Sequence, residues 1–143
     1  MRTEGLILDT GPLVAYLDQD EQFHGWAKTT FAGWHGPVVT CEAVLTEAMF
    51  LLRRHPAAQG KLLDLVVQGV LPLGFELAHE IRQVKALWER YDNVPSSLAD
   101  ACLIRLSELR PGFAVCTLDS DFSIYRRHRR QPIPLVMPAE LAA

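Results

Sequence analysis

Short apolar runs alternate along this chain with longer stretches of helical periodicity. Residues 5–9, 37–40, 70–73, 114–118 and 133–136 are the runs; the first ends in Asp9 and the last is bounded by prolines, as an edge strand would be. Between them, Phe23, Trp26, Ala27, Thr30 and Phe31 recur at three-and-four spacing, and residues 57–68 and 76–91 read as further helices. A helix opens at Thr40 or Cys41 and runs to Arg54. Pro95, Ser96 and Ser97 start another, which stops at Pro111-Gly112, and Asp119 opens a last one. Apolar runs alternating with helices of this length imply an α/β fold, a central parallel sheet of about five strands in a three-layer α/β/α sandwich with right-handed crossovers.

In such a fold the C-terminal ends of strands and the N-terminal turns of helices share one edge, and ligands bind there. Four acids fall on that edge. Asp9 closes the first strand, Asp119 follows the fourth with Asp121 close behind, Asp100 lies in the first turn of its helix, and Glu47 lies in the first two turns of its own. Glu47 is about 60° around the helix from Val44, at the border of the apolar stripe, and Asp100 is about 60° from Leu103 and about 40° from Ile104. Local roles are open to these residues: Asp9 and Asp119 can cap helices, Ser97-x-x-Asp100 has the form of a capping box, and Glu47 suits a positive helix end. Capping alone does not ask for acids throughout, because Ser or Asn caps equally well. Several acids on one edge repel unless protonated or bridged by a cation, so the joint pattern points to a divalent-metal site.

At 143 residues and 49% hydrophobic content the chain is sized for a single domain, residues 1–143, with a two-sided core. The uncharged run at residues 5–8 is too short for a signal-peptide core or a membrane span, which implies a soluble, cytoplasmic protein without membrane partners. Cys41, Cys102 and Cys116 have apolar neighbours and form no Cys-x-x-Cys pair, so they read as buried hydrophobes in a reducing compartment. Net charge is -3, but Arg126, Arg127, Arg129 and Arg130 cluster in RRHRR; 10 basic and 17 acidic residues remain elsewhere, and the rest of the chain carries -7. The basic strip is a candidate RNA-phosphate contact or, equally, a solvated helix end.

The segments ILDTGPLVAYLD, VLTEAMFLLRR, LADACLIRLSE and TLDSDFSIYRR, in this order and at these separations, resemble the PIN-domain nucleases, and especially the VapC-type toxins of toxin-antitoxin pairs. The resemblance spans the whole chain. It implies a sheet in the order 3-2-1-4-5 and metal-binding, catalytic acids at Asp9, Glu47, Asp100 and Asp119, with Asp121 as an alternative to Asp119. Thr10 and Thr117 take the positions of supporting hydroxyls. It further implies an RNA substrate, a cognate antitoxin and a homodimer.

Carboxylate ligands suit Mg²⁺ or Mn²⁺, and His24, His35, His55, His79 and His128 are too scattered to favour zinc. The implied activity is endoribonuclease hydrolysis of RNA phosphodiester bonds. A dehalogenase-type phosphatase would need a second Asp at the position held by Gly11, and a receiver domain would need an Asp near Leu73-Gly74; neither is present. A housekeeping RNA-processing nuclease and a non-catalytic RNA-binding module on the same fold are the remaining alternatives. Phe23, Trp26 and Phe31 read as core, whereas Trp34 is harder to bury and suits a partner surface.

Overall fold

The computed structural model describes residues 2–94 and 96–142. Its centre is a four-stranded sheet, and every pairing in it is parallel. Strand β1 (Gly5–Leu8) is buried along its whole length and lies between β2 (Val38–Val39) and β3 (Phe113–Cys116). Its register matches Ile7 to Val39 on one side and Leu8 to Cys116 on the other. Beyond a short hairpin described below, the final strand β6 (Leu135–Val136) joins β3 at the sheet's edge.

The expected strand at residues 70–73 shrinks to one parallel bridge, Thr40 to Leu73. Thr40 N–H donates to Pro72 O and Gly74 N–H to Thr40 O, so the chain does lie beside β2. Two features stop it pairing further. Pro72 has no N–H to donate, and the turn before it needs Gly69 at a φ of +75°. With this segment counted as an edge, the spatial order is the expected 3-2-1-4-5.

Six helices occur among the described residues: α1 (Thr10–Leu17), α2 (His24–Ala32), α3 (Glu42–Leu51), α4 (Pro56–Val67), α5 (Leu77–Arg90) and α6 (Leu98–Leu109). Helix α1 packs on α2, α3 and α4, and α5 packs on α6. Phe31 and Trp26 lean on the core, as their helical spacing predicts, and Trp34 does so too while its indole N–H donates to Pro37 O at 3.2 Å. All three cysteines are free and buried. Helix α6 is unusual in being apolar nearly all round, with Ala99, Ala101, Cys102, Leu103, Ile104 and Leu106 all buried, so it runs through the core rather than over it. Its capping residue is Ser97; Pro95, expected to help start it, lies outside the described residues.

The segment after β3 departs from the helical expectation. Asp119 opens only a single 3-10 turn (Ser120–Ser123), after which β4 (Arg126–Arg127) pairs antiparallel with β5 (Gln131–Pro132). The basic run RRHRR is therefore a hairpin. His128 and Arg129 form its tip at φ 49° and 70°, left-handed values that break a helix.

Candidate active site

Asp9 leaves β1 and caps α1. One carboxylate oxygen accepts the Thr10 N–H at 2.7 Å and the other accepts the Thr117 hydroxyl at 2.7 Å. Thr117 follows β3, the strand paired with β1, so the parallel register delivers the hydroxyl to the acid. The same Thr117 oxygen accepts the Asp119 N–H at 2.9 Å, and Asp119 in turn accepts the Asp121 N–H at 2.9 Å as cap of the 3-10 turn. On the other side of Asp9, the Thr10 hydroxyl donates to Glu47 Oε2 at 3.0 Å, reaching across to the middle of α3.

Asp100 enters from α6. It completes the capping box suggested by the sequence: its N–H donates to Ser97 Oγ, and its Oδ2 accepts the Ser97 N–H, both at 3.2 Å. A second donor on Oδ2, at 3.2 Å, is the hydroxyl of Tyr125. Among the described residues, Asp100 Oδ1 accepts no hydrogen bond.

The four acids lie at the edge where strands end and helices begin, near enough for the charges of Asp100 and Asp119 to act on Asp9 and those of Asp119 and Glu47 to act on Asp100. Burial pushes the Asp9 carboxyl up to about 6, and the charges of Asp100 and Asp119 add to the rise against the hydrogen bonds from Thr117 and Thr10. Asp100 is also raised, first by burial and then by the charges of Asp119 and Glu47. Asp9 and Asp100 are 7% and 8% exposed, whereas Glu47, Asp119 and Asp121 are half-buried. Capping and clustering turn out to be compatible readings of the same side chains.

The arginines divide. Arg127 is buried, and its guanidinium donates to Ser107 O at 3.1 Å and Pro111 O at 3.0 Å, closing off the end of α6. It is thus withdrawn from the expected RNA-binding set: two of its nitrogens are held by backbone carbonyls and the residue is buried. Arg126 is half-buried and donates to Ser123 O, Ile124 O and Tyr125 O. Arg129 and Arg130 are exposed at the hairpin tip.

Tyr125 was not among the residues singled out from the sequence. It is wholly buried, packed edge-on against Tyr91 at 4.9 Å and Phe122 at 5.1 Å between ring centroids. Its signal in the chain was only a tyrosine four residues after Asp121 in a stretch read as helix.

The PIN domain family profile matches residues 6–127. This chain belongs to the PIN domain family. Among solved structures, this PIN domain resembles the crystal structure of Mycobacterium tuberculosis VapC20, described as a Sarcin-Ricin loop cleaving toxin, with a TM-score of 0.75 and 24% identity over 83% of this chain and 93% of that one. That likeness establishes the fold. No curated protein sequence matches.

The donor set of the PIN domain fits a hard cation. It consists of carboxylate oxygens that burial, chiefly, and their neighbours' charges hold above the usual carboxylate range at Asp9 and Asp100, and a divalent charge would offset both effects. Among the described residues, no three His, Cys, Asp or Glu side chains stand together as a metal-holding group.

Proposed function

We propose that this protein is a metal-dependent endoribonuclease that hydrolyses RNA phosphodiester bonds, and that it acts as the toxin of a toxin-antitoxin pair. The observation that supports this reading is that Asp9, Glu47, Asp100 and Asp119, each from a different element, lie near enough for their charges to act on Asp9 and Asp100. Membership of the PIN domain family and the description of the VapC20 neighbour as an RNA-cleaving toxin support RNA as substrate.

Asp9 and Asp100 would hold Mg²⁺ or Mn²⁺ directly, with Glu47, Asp119 or Asp121 completing the site through water. When bound, the cation supplies Lewis-acid stabilisation of charge on the phosphate and leaving oxygen, and makes nearby water more acidic. Everything else is the work of the chain. Thr10 and Thr117 fix the orientation of Glu47 and Asp9. Glu47, held through Oε2, offers Oε1 to the attacking water and takes its proton as general base. Arg129 and Arg130 lie on the same segment as Asp119 and contact flanking phosphates.

A cognate antitoxin and a second copy of the chain are the protein partners we propose, with the cytoplasm as site of action. An apolar groove of about 450 Å³, lined by Leu13, Tyr16, Phe31, Trp34, Leu65 and Leu71 among others, supports the antitoxin reading. No described helix is long and apolar enough to cross a membrane.

The decisive experiment incubates purified protein with RNA in Mg²⁺ or Mn²⁺, with and without chelator. Cleavage that the chelator abolishes is the expected result. Intact RNA in the presence of folded, Mn²⁺-bound protein would refute catalysis and favour an RNA-binding module. Induced expression separates a toxin from a housekeeping nuclease: growth arrest relieved by a small protein encoded next to this gene supports the toxin.

A further inference from the structure

We infer that Tyr125 is a positioning residue for the metal site, holding Asp100 Oδ2 so that Oδ1 is the oxygen turned to the cation. The inference rests on the metal-dependent reading above but concerns a residue that reading did not need. Asp100 has one oxygen with two donors, the Ser97 N–H and the Tyr125 hydroxyl, and among the described residues the other has none. A carboxylate held at one oxygen only by a helix-capping bond can still tilt about that bond. A second donor, arriving from a different element, removes the freedom.

The phenol is well placed to be rigid. Tyr125 is 0% exposed, and two edge-on aromatic contacts, from Tyr91 on one side and Phe122 on the other, fix its ring. Its backbone is fixed as well, since the Tyr125 N–H donates to Asp121 O at 3.2 Å. Tyr91 is anchored in turn, accepting the Arg126 N–H at 2.9 Å through its hydroxyl. Among the described residues, the acceptor of the hydroxyl so confined is the Asp100 carboxylate. The arrangement has a second effect: it couples the turn that Asp119 caps to the helix carrying Asp100, because Tyr125 follows the turn, bonded to Asp121 O, and touches the helix.

Partners that orient a metal-binding side chain typically change metal affinity or activity by about 10- to 100-fold when removed. Tyr125→Phe deletes one oxygen and keeps the packed ring. Calorimetric titration of Mn²⁺ into wild-type protein, Tyr125→Phe and the control Tyr91→Phe separates orientation from packing. The expected result is binding about tenfold weaker in Tyr125→Phe alone, with unchanged circular dichroism. Wild-type Mn²⁺ affinity in folded Tyr125→Phe would overturn the inference, as would an equal loss in both variants. A second readout needs no variant: the ¹³Cζ resonance of Tyr125 in wild-type protein should shift when Mg²⁺ is added, and a resonance that does not move under saturating Mg²⁺ counts against the role. Wild-type protein that binds Mn²⁺ but leaves RNA intact would refute the nuclease proposal while the Tyr125 comparison still stands.

Discussion

Replacing Asp9 by Asn should abolish RNA cleavage and at the same time make the metal-free protein more stable. The carboxyl ionises near 3.8 in an unfolded chain and at about 6 in the folded one, chiefly because the fold buries it. Between those values the folded state keeps a proton that the unfolded state has released, so the contribution of Asp9 to stability declines as pH rises from about 4 to about 6 and stays low above that. A rise of that size corresponds to about 3 kcal/mol. Asn never ionises and keeps the Thr10 N–H bond, but it sets an amide NH₂ against the Thr117 hydroxyl, a mismatch that costs about 1 kcal/mol. The net gain is then about 2 kcal/mol at pH 8, a rise in Tm of roughly 4–8 °C for a domain of this size. Thermal unfolding with chelator present, at pH 8 and again at pH 4.5, measures it. The difference between variant and wild type should be large at pH 8 and nearly vanish at pH 4.5. A variant less stable than wild type at pH 8, or a difference independent of pH, would refute the claim that Asp9 is held under electrostatic strain in the absence of a cation.

Adding Mn²⁺ at pH 8 should raise the Tm of wild-type protein and leave that of Asp9→Asn unmoved; the same titration repeated at pH 5 should show weaker binding, since Asp9 then carries a proton. The arginines of RRHRR should split by role. Arg129→Ala with Arg130→Ala is expected to weaken RNA binding and reduce its salt slope by up to about 2 with no change in Tm, as filter binding at several salt concentrations would reveal. Arg127→Ala should instead lower stability by about 2–3 kcal/mol through lost bonds to Ser107 O and Pro111 O, and a denaturant titration showing wild-type stability would contradict that assignment. Gly74→Ala should destabilise the fold, because a Cβ there would collide with Val39 and press on Arg110.

Strands and acids were readable in the chain for a common reason. The run ending at Asp9 and the run before Thr117 are apolar without interruption, which only a strand buried on both faces requires, and parallel pairing then carries their following residues to one edge. Helix α6 was legible from Ser97-x-x-Asp100, a local signal that needs no knowledge of the tertiary fold. The segment after Asp119 was not, because its composition, Ser-Asp-Phe-Ser-Ile-Tyr-Arg-Arg, is as compatible with a helix as with a 3-10 turn leading to a hairpin. What decides it is the left-handed backbone at His128 and Arg129, residues that give no glycine-like warning. Two further differences follow from that one: Arg127, a candidate RNA contact or solvated helix residue in the sequence, is buried, and Tyr125 carries no sequence signal of its contact with Asp100. The strand near Leu73 was visible in its hydrophobicity, but Pro72 limited it to one bridge.

The bonds that cap α1, α6 and the 3-10 turn join Asp9, Asp100 and Asp119 to N–H groups one, three and two residues away. Such short links close as soon as their own segment takes shape, without waiting for distant parts of the chain. These acids are therefore aimed during folding, and a cation of the proposed kind would meet side chains whose freedom has already been surrendered. Evolution could then exchange one divalent ion for another, or retune affinity, without rebuilding the scaffold that points the ligands.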